Sequence, residues 1–354
     1  MSCKRSSTAR LVSAMALMVP PQFSYAAVTS RPYSSFMKRA LALVIVIAAG
    51  VVPASVDSAR PPQLLTFTVS HWQPGKQLMQ RGGMCLARAN GTNAVRLLPS
   101  PAGRDTDFGA AWSRDGRYLA FSRWFKGNRL TDIVIADGRG RVIRTLYSRG
   151  GGDGSLELDP SWSPDGRRLA FARSWRRTGI WFVNRDGSGL RQIVSGNAAD
   201  PAWSPDGTTL AFTLPGEGLQ THENRSVHTI RVDGSERRRI LLGAANPTWS
   251  PDGRKLAFVS VAKGPKAEIA VANSDGSGRR ELTTTAALES APAWSPDGKY
   301  IAFERGRERS SIGVIDAATG AERWTIRRPY GVRSPSWRSE VALPLASRAS
   351  CSGR

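Results

Sequence analysis

Tryptophan returns along this chain at Trp112, Trp162, Trp203, Trp249, Trp294 and Trp337, and five of the six open the phrase W-S-(P/R)-D-G, with (L/I)-A-F two residues further on. The spacing runs from 41 to 50 residues. A period of that length, holding four strand-like runs, is one four-stranded propeller blade rather than a helical hairpin or a leucine-rich turn.

The repeat follows from local chemistry. Trp162 ends a strand and Ser163-Pro164-Asp165-Gly166 follows. Proline presets φ at the second turn position, aspartate suits the next, and glycine accepts the positive φ that returns the chain as a hairpin. Ser204–Gly207, Ser250–Gly253 and Ser295–Gly298 spell the same turn, and Ser113-Arg114-Asp115-Gly116 lacks only the proline. The next strand carries Leu169-Ala170-Phe171 and its equivalents, with alanine small enough for a strand packed on both faces. A third strand (residues 180–184, for example) runs in most repeats into an Asp-Gly turn, and a basic, half-exposed outer strand such as 190–194 ends the unit.

Leu65-Thr66-Phe67 matches the second strand, 85–90 the third and 94–98 the fourth, yet no W-S-P-D-G precedes them. Ser334-Pro335-Ser336-Trp337 supplies an inner strand with nothing after it. The expected fold is therefore all-β: a six-bladed β-propeller of four-stranded blades over residues 64–340, closed by pairing of the C-terminal strand with the first blade, so that no sheet edge is left over.

These residues resemble the TolB-type, WD40-like β-propeller repeat, whose hallmark is x-P-x-W-S-P-D-G-x-x-(L/I)-A-F. The likeness covers about residues 64–337 and is to the propeller part alone, because TolB carries an α/β domain ahead of its propeller and a leader and linker precede Leu64 here. The G-H and W-D pairs of eukaryotic WD repeats are absent. The resemblance implies a ring acting in the bacterial envelope as a protein-interaction platform.

Met37-Lys38-Arg39 followed by the apolar run 41–52 reads as a signal peptide over residues 37–54, with Val52 and Ala54 as the small residues before the cut and 55–63 as linker. Residues 1–36, with their own weaker apolar stretch, read as an upstream extension or part of a longer leader; an uncleaved N-terminal anchor is the alternative. The product is expected to be exported, periplasmic or extracellular, and monomeric. Cleavage leaves Cys85, in the first blade, and Cys351, in the tail 341–354; either they form a disulfide that staples the closure, which an exported compartment permits, or they remain two thiols.

The formal charge is +22, and the first 54 residues hold six basic and no acidic side chains, so the exported part keeps a large arginine excess. That excess suits an anionic envelope polymer, or it is a dispersed solvated surface, as at Arg237-Arg238-Arg239. Specific nucleic-acid recognition is not expected.

The repeated turns lie at one end of the blades, and the variable loops at the other, where recognition usually sits. There the sequence sets Trp72 near Lys76, then Trp124-Phe125-Lys126, then Trp175-Arg176-Arg177: a set of interface hot spots, or lids over the core. Asp159, Asp200 and Asn246 stand three residues ahead of their tryptophans, just before the inner strands, and either hold a cation or basic peptide end in the channel or cap backbone amides. The six repeated tryptophans are expected to pack between blades. No nucleophile elbow, H-E-x-x-H, C-x-x-C or phosphate loop is present, so no catalytic residue, cofactor or metal is assigned. The enzymatic alternative is a metal-dependent polysaccharide lyase-like propeller built on His71, His222 and His228.

Overall fold

The computed structural model describes residues 63–69, 83–99, 106–125, 130–146, 155–175, 177–216, 224–261, 266–306, 310–328, 331–339 and 351. These form strands throughout. The first three are β1 (Leu64–Val69), β2 (Met84–Arg88) and β3 (Val95–Leu98). The next unit is β4 (Thr106–Trp112), β5 (Tyr118–Phe125), β6 (Leu130–Asp137) and β7 (Val142–Leu146), followed by β8 (Leu156–Trp162), β9 (Arg168–Ser174), β10 (Gly179–Asn184) and β11 (Arg191–Ser195). Then come β12 (Ala199–Trp203), β13 (Thr209–Leu214), β14 (Ser226–Arg231) and β15 (Arg238–Leu242). The last units are β16 (Ala244–Trp249), β17 (Lys255–Ser260), β18 (Glu268–Asn273) and β19 (Arg280–Glu281), then β20 (Glu289–Trp294), β21 (Tyr300–Arg305), β22 (Ser311–Asp316) and β23 (Glu322–Ile326), and finally β24 (Val332–Arg338).

Each unit is an antiparallel meander in chain order. The units β4–β7 and β8–β11 merge into one sheet through a single parallel pair, Thr131 with Leu156. The first sheet has the order β24-β1-β2-β3. Its register sets Leu65 opposite Trp337 and Val69 opposite Val332, so the last strand completes the sheet that the first three begin.

Apolar clusters lie between successive units. Met84 and Leu98 of the first sheet meet Trp112 and Phe121 of the second, and Ile180 and Phe182 meet Trp203 and Phe212 further round. One cluster joins Ile312 and Val314 of the last full unit to Phe67 and Trp337. The tryptophans tie neighbours together with their indole N–H as well as their rings. Trp112 Nε1 donates to Thr66 Oγ1 (2.8 Å), Trp162 to the Ala111 carbonyl (3.1 Å), Trp249 to Ala202 (3.1 Å) and Trp337 to Ala293 (2.9 Å). Each such ring buries roughly 150–250 Å². Trp112, Trp162, Trp203 and Trp337 sit in the clusters between units, as packing requires, and all six also line one common cavity of about 270 Å³ at the turn end of the sheets.

The inner strands share a kink. Their pairing slips at Phe108/Ala111, Leu158/Ser161, Ala199/Ala202, Ala245/Thr248 and Ser290/Ala293, a β-bulge at the same place in each repeat. Its first residue takes positive φ: Gly109 (62°), Asp159 (53°), Asp200 (52°), Asn246 (51°), Ala291 (51°) and, in β24, Ser334 (50°). Glycine, asparagine and aspartate tolerate this region best. The next residue is proline in all but the first of these repeats, and a bulge that strands one N–H from the ladder loses nothing at a residue with no N–H to pair. Both halves of the x-P-x-W phrase therefore have a backbone cause.

Candidate functional site: an exposed tryptophan and the acidic bulges

At the end of β9 remote from its Ser-Pro-Asp-Gly turn, Trp175 is 79% exposed and holds φ at +84°, a conformation that bulky residues rarely take. Strain of this kind persists only where the surroundings fix it. Here they do: the Trp181 indole N–H donates to the Arg177 carbonyl (3.0 Å), and Arg177 itself holds φ at +48°. Arg173 lies over the Trp181 ring (4.8 Å) and pairs with buried Glu157 (3.0 Å). The loop is thus braced from beneath, and Trp175 does not fold back as a lid.

Trp124 and Phe125 correct the expectation of a loop. Both belong to β5, where Trp124 pairs with Thr106 on one side and Thr131 on the other, and Phe125 with Leu130; both are half-buried. The alternating β-formers from Tyr118 onward carry the strand past the point where the motif ends. Trp72, Lys76, Lys126 and Arg176 lie outside the described residues.

Asp159, Asp200 and Asn246 are likewise not ahead of the inner strands but inside them, as the first residues of the bulges. Around them the protein closes in. Burial, and secondarily the Asp200 carboxylate, pushes the Asp159 carboxyl up to about 7. Burial also raises Asp200, against hydrogen bonds from the Thr213 hydroxyl and from Asn246. The Asn246 N–H donates to Thr213 Oγ1 (3.0 Å), which links the inner strand β16 to β13 of the preceding unit. Among the described residues no group of three or more His, Cys, Asp or Glu side chains could hold a metal ion.

One recurrent device escapes the motif. Asp107 with Arg123, Glu157 with Arg173 and Glu289 with Arg305 form buried ion pairs at 2.6, 3.0 and 3.1 Å, each spanning 16 residues from the start of an inner strand to the end of the next. Aligning the repeats exposes the signal, an arginine two residues after Ala-Phe in three of them. The same arginines lie over Phe121, Phe171 and Phe303, while Arg191, Arg237 and Arg279 lie over Phe182, Phe212 and Phe258. Part of the arginine excess therefore serves packing.

Cys351 meets Cys85 as a disulfide pair, Cα atoms 6.2 Å apart, and its N–H donates to the Ala94 carbonyl (3.2 Å). Of the histidines, His228 is packed on Phe212 (5.8 Å) with Nε2 at 3.0 Å from Ser226 Oγ, and burial lowers its pKa; His71 and His222 lie outside the described residues. The leader does too, and no helix among the described residues is long and apolar enough to cross a membrane.

Known proteins share this architecture. The structure is similar to that of TolB from Acinetobacter baumannii, with a TM-score of 0.63 at 22% identity over 78% of this chain and 67% of that one. It is also similar to a chain of the nidogen/laminin complex (0.58, 15% identity, 78% and 98% covered) and to hydrazine synthase of Kuenenia stuttgartiensis (0.60, 13%, 79% and 47%). At these identities the likeness is one of fold. No curated protein sequence matches the chain. The family model for the TolB beta propeller domain matches residues 71–341, most of the sequence, and the chain belongs to that family.

Proposed function

We propose that the chain is an exported, non-enzymatic propeller of six four-stranded blades, closed by β24 on the first blade, that serves as a protein or peptide interaction platform in the bacterial envelope. Reading the merged sheet as two blades gives that count, and the cluster between the last unit and the first supports closure. The binding role rests on one observation: Trp175, exposed on a braced and strained loop at the end of the blades away from the repeated turns. A large rigid ring with neighbouring cationic side chains is the composition of an interface anchor, and bracing lowers the ordering cost of binding.

The test is crosslinking of the full chain to envelope extract, with Trp175→Ala beside the parent. The expected result is one polypeptide captured by the parent and lost by the variant at unchanged melting temperature. Equal capture by both would refute the role of Trp175. Amino-terminal sequencing of the exported protein should begin at Ser55; retention of Met37 would overturn the cleavage.

A further inference from the structure

In four of the six repeats one register position covers the repeated tryptophan. The residue immediately before (L/I)-A-F, or its Leu65-Thr66-Phe67 equivalent, faces the tryptophan of the next unit. Leu64 shares a cluster with Trp112, Tyr118 packs on Trp162 at 6.0 Å, Arg168 lies over Trp203 at 5.1 Å, and Tyr300 shares a cluster with Trp337. Those four tryptophans are 6–8% exposed. Before Trp249 the residue is Thr209, too short to reach across, and before Trp294 it is the exposed Lys255; both tryptophans are half-buried.

The missing cover leaves a cavity of about 570 Å³ with Thr209 and Trp249 in its wall. A volume of that order holds a small molecule or a few sugar rings. Ile230 and Ile240 continue the apolar wall, and the rim mixes charges: Asp206, Asp252, Asp275 and Glu236 against Arg231, Arg238 and Arg239. The turns prearrange the aspartates. Ser250 Oγ and the Arg254 N–H both donate to Oδ1 of Asp252 (2.6 and 3.1 Å), and Ser277 does the same to Asp275 through its hydroxyl and N–H (2.7 and 2.9 Å). Each of these two carboxylates keeps Oδ2 for another donor.

We propose that this cavity is a binding site for a neutral sugar ring. Carboxylates accept and guanidinium groups donate, and a hydroxyl does both, so a polyol can pair with either kind of rim group, although Glu236 already pairs with Arg238 (3.0 Å). A cation would meet three arginines there, and an anion four carboxylates. The apolar C–H face of a pyranose supplies the flat surface that the uncovered indole lacks. The site lies at the turn end of the sheets, away from Trp175, and stands or falls separately from the interaction platform.

The experiment titrates chitotriose, cellotriose and maltotriose into the full chain by calorimetry and NMR, with trigalacturonate and trilysine as charged probes. Thr209→Arg, which installs the cover that Arg168 already provides in the neighbouring unit, should weaken binding of a neutral trisaccharide by at least about tenfold. Trp175→Ala should leave that binding unchanged. Thr209→Tyr, the choice at Tyr118 and Tyr300, replaces the arginine variant if that one fails to fold. Absence of binding by all three neutral probes at millimolar concentration, equal binding by the covered variant, or Thr209-dependent binding of a charged probe alone would overturn the assignment.

Discussion

Removing the link between Cys85 and Cys351 tests the closure of the fold more sharply than any other change. The two residues are 266 positions apart, so nearly the whole domain lies within the loop they close. In a chain-entropy treatment, a loop of that length restricts the unfolded ensemble by about 5 kcal/mol, and measured disulfides more often give about 2–4. The folded state adds little to offset this, since β24 already pairs with β1 and the Cys351 N–H already donates to Ala94. At about 2–4 °C per kcal/mol for a domain of this size, reduction should lower the melting temperature by roughly 10 °C. The assay is a thermal melt of the purified protein with and without reductant, with Cys351→Ser as control. Reductant should shift the parent to the variant's value and leave the variant unmoved. An unmoved parent, together with two free thiols by mass mapping, would refute the reasoning.

Trp203→Ala, which removes a ring stacked on Phe182 at 4.7 Å and covered by Arg168, should cost about 3–5 kcal/mol in denaturant unfolding, whereas Trp175→Ala should stay within about 0.5. Glu157→Ala leaves Arg173 buried without its carboxylate partner and should cost about 3 kcal/mol, while Glu157→Leu with Arg173→Met should recover most of that in the same unfolding measurement. The folded chain holds the Asp159 proton more tightly than the unfolded chain, so its contribution to stability is present below the ordinary carboxylate range and is lost as pH rises through about 7. Asp159→Asn, the residue type that Asn246 already uses at this register, should therefore melt several degrees above the parent, with its half-buried carboxylate, near pH 8 and close to it near pH 4; equal melting curves at pH 8 would refute it.

What the sequence makes legible here is what local chemistry dictates. The tryptophans, the Pro-Asp-Gly turns and the solitary inner strand at residues 334–337 announce the repeat and the pairing of the last strand with the first sheet. The loops are less legible, because the aromatic run that ends at Phe125 serves equally as exposed loop or prolonged strand, and only pairing with Leu130 and Thr131 decides. Asp159, Asp200 and Asn246 suggest ligands by their oxygens, yet Gly109 at the same position points to the common requirement, a positive φ. The ion pairs spanning 16 residues, and the short side chain of Thr209, become visible only once the repeats are set beside one another, since neither departs from ordinary composition.

The pairing of β24 with β1 also dictates an order of events. Until Val332–Arg338 has been released from the ribosome, β1 has no inner neighbour, and Phe67 and Leu65 lack Trp337 and Val332. Contacts between the extremes of the chain are the slowest to form, so the domain stays uncommitted for almost the whole of its synthesis. A polypeptide shortened by its last two dozen residues should therefore be recognised by proteases as unfinished.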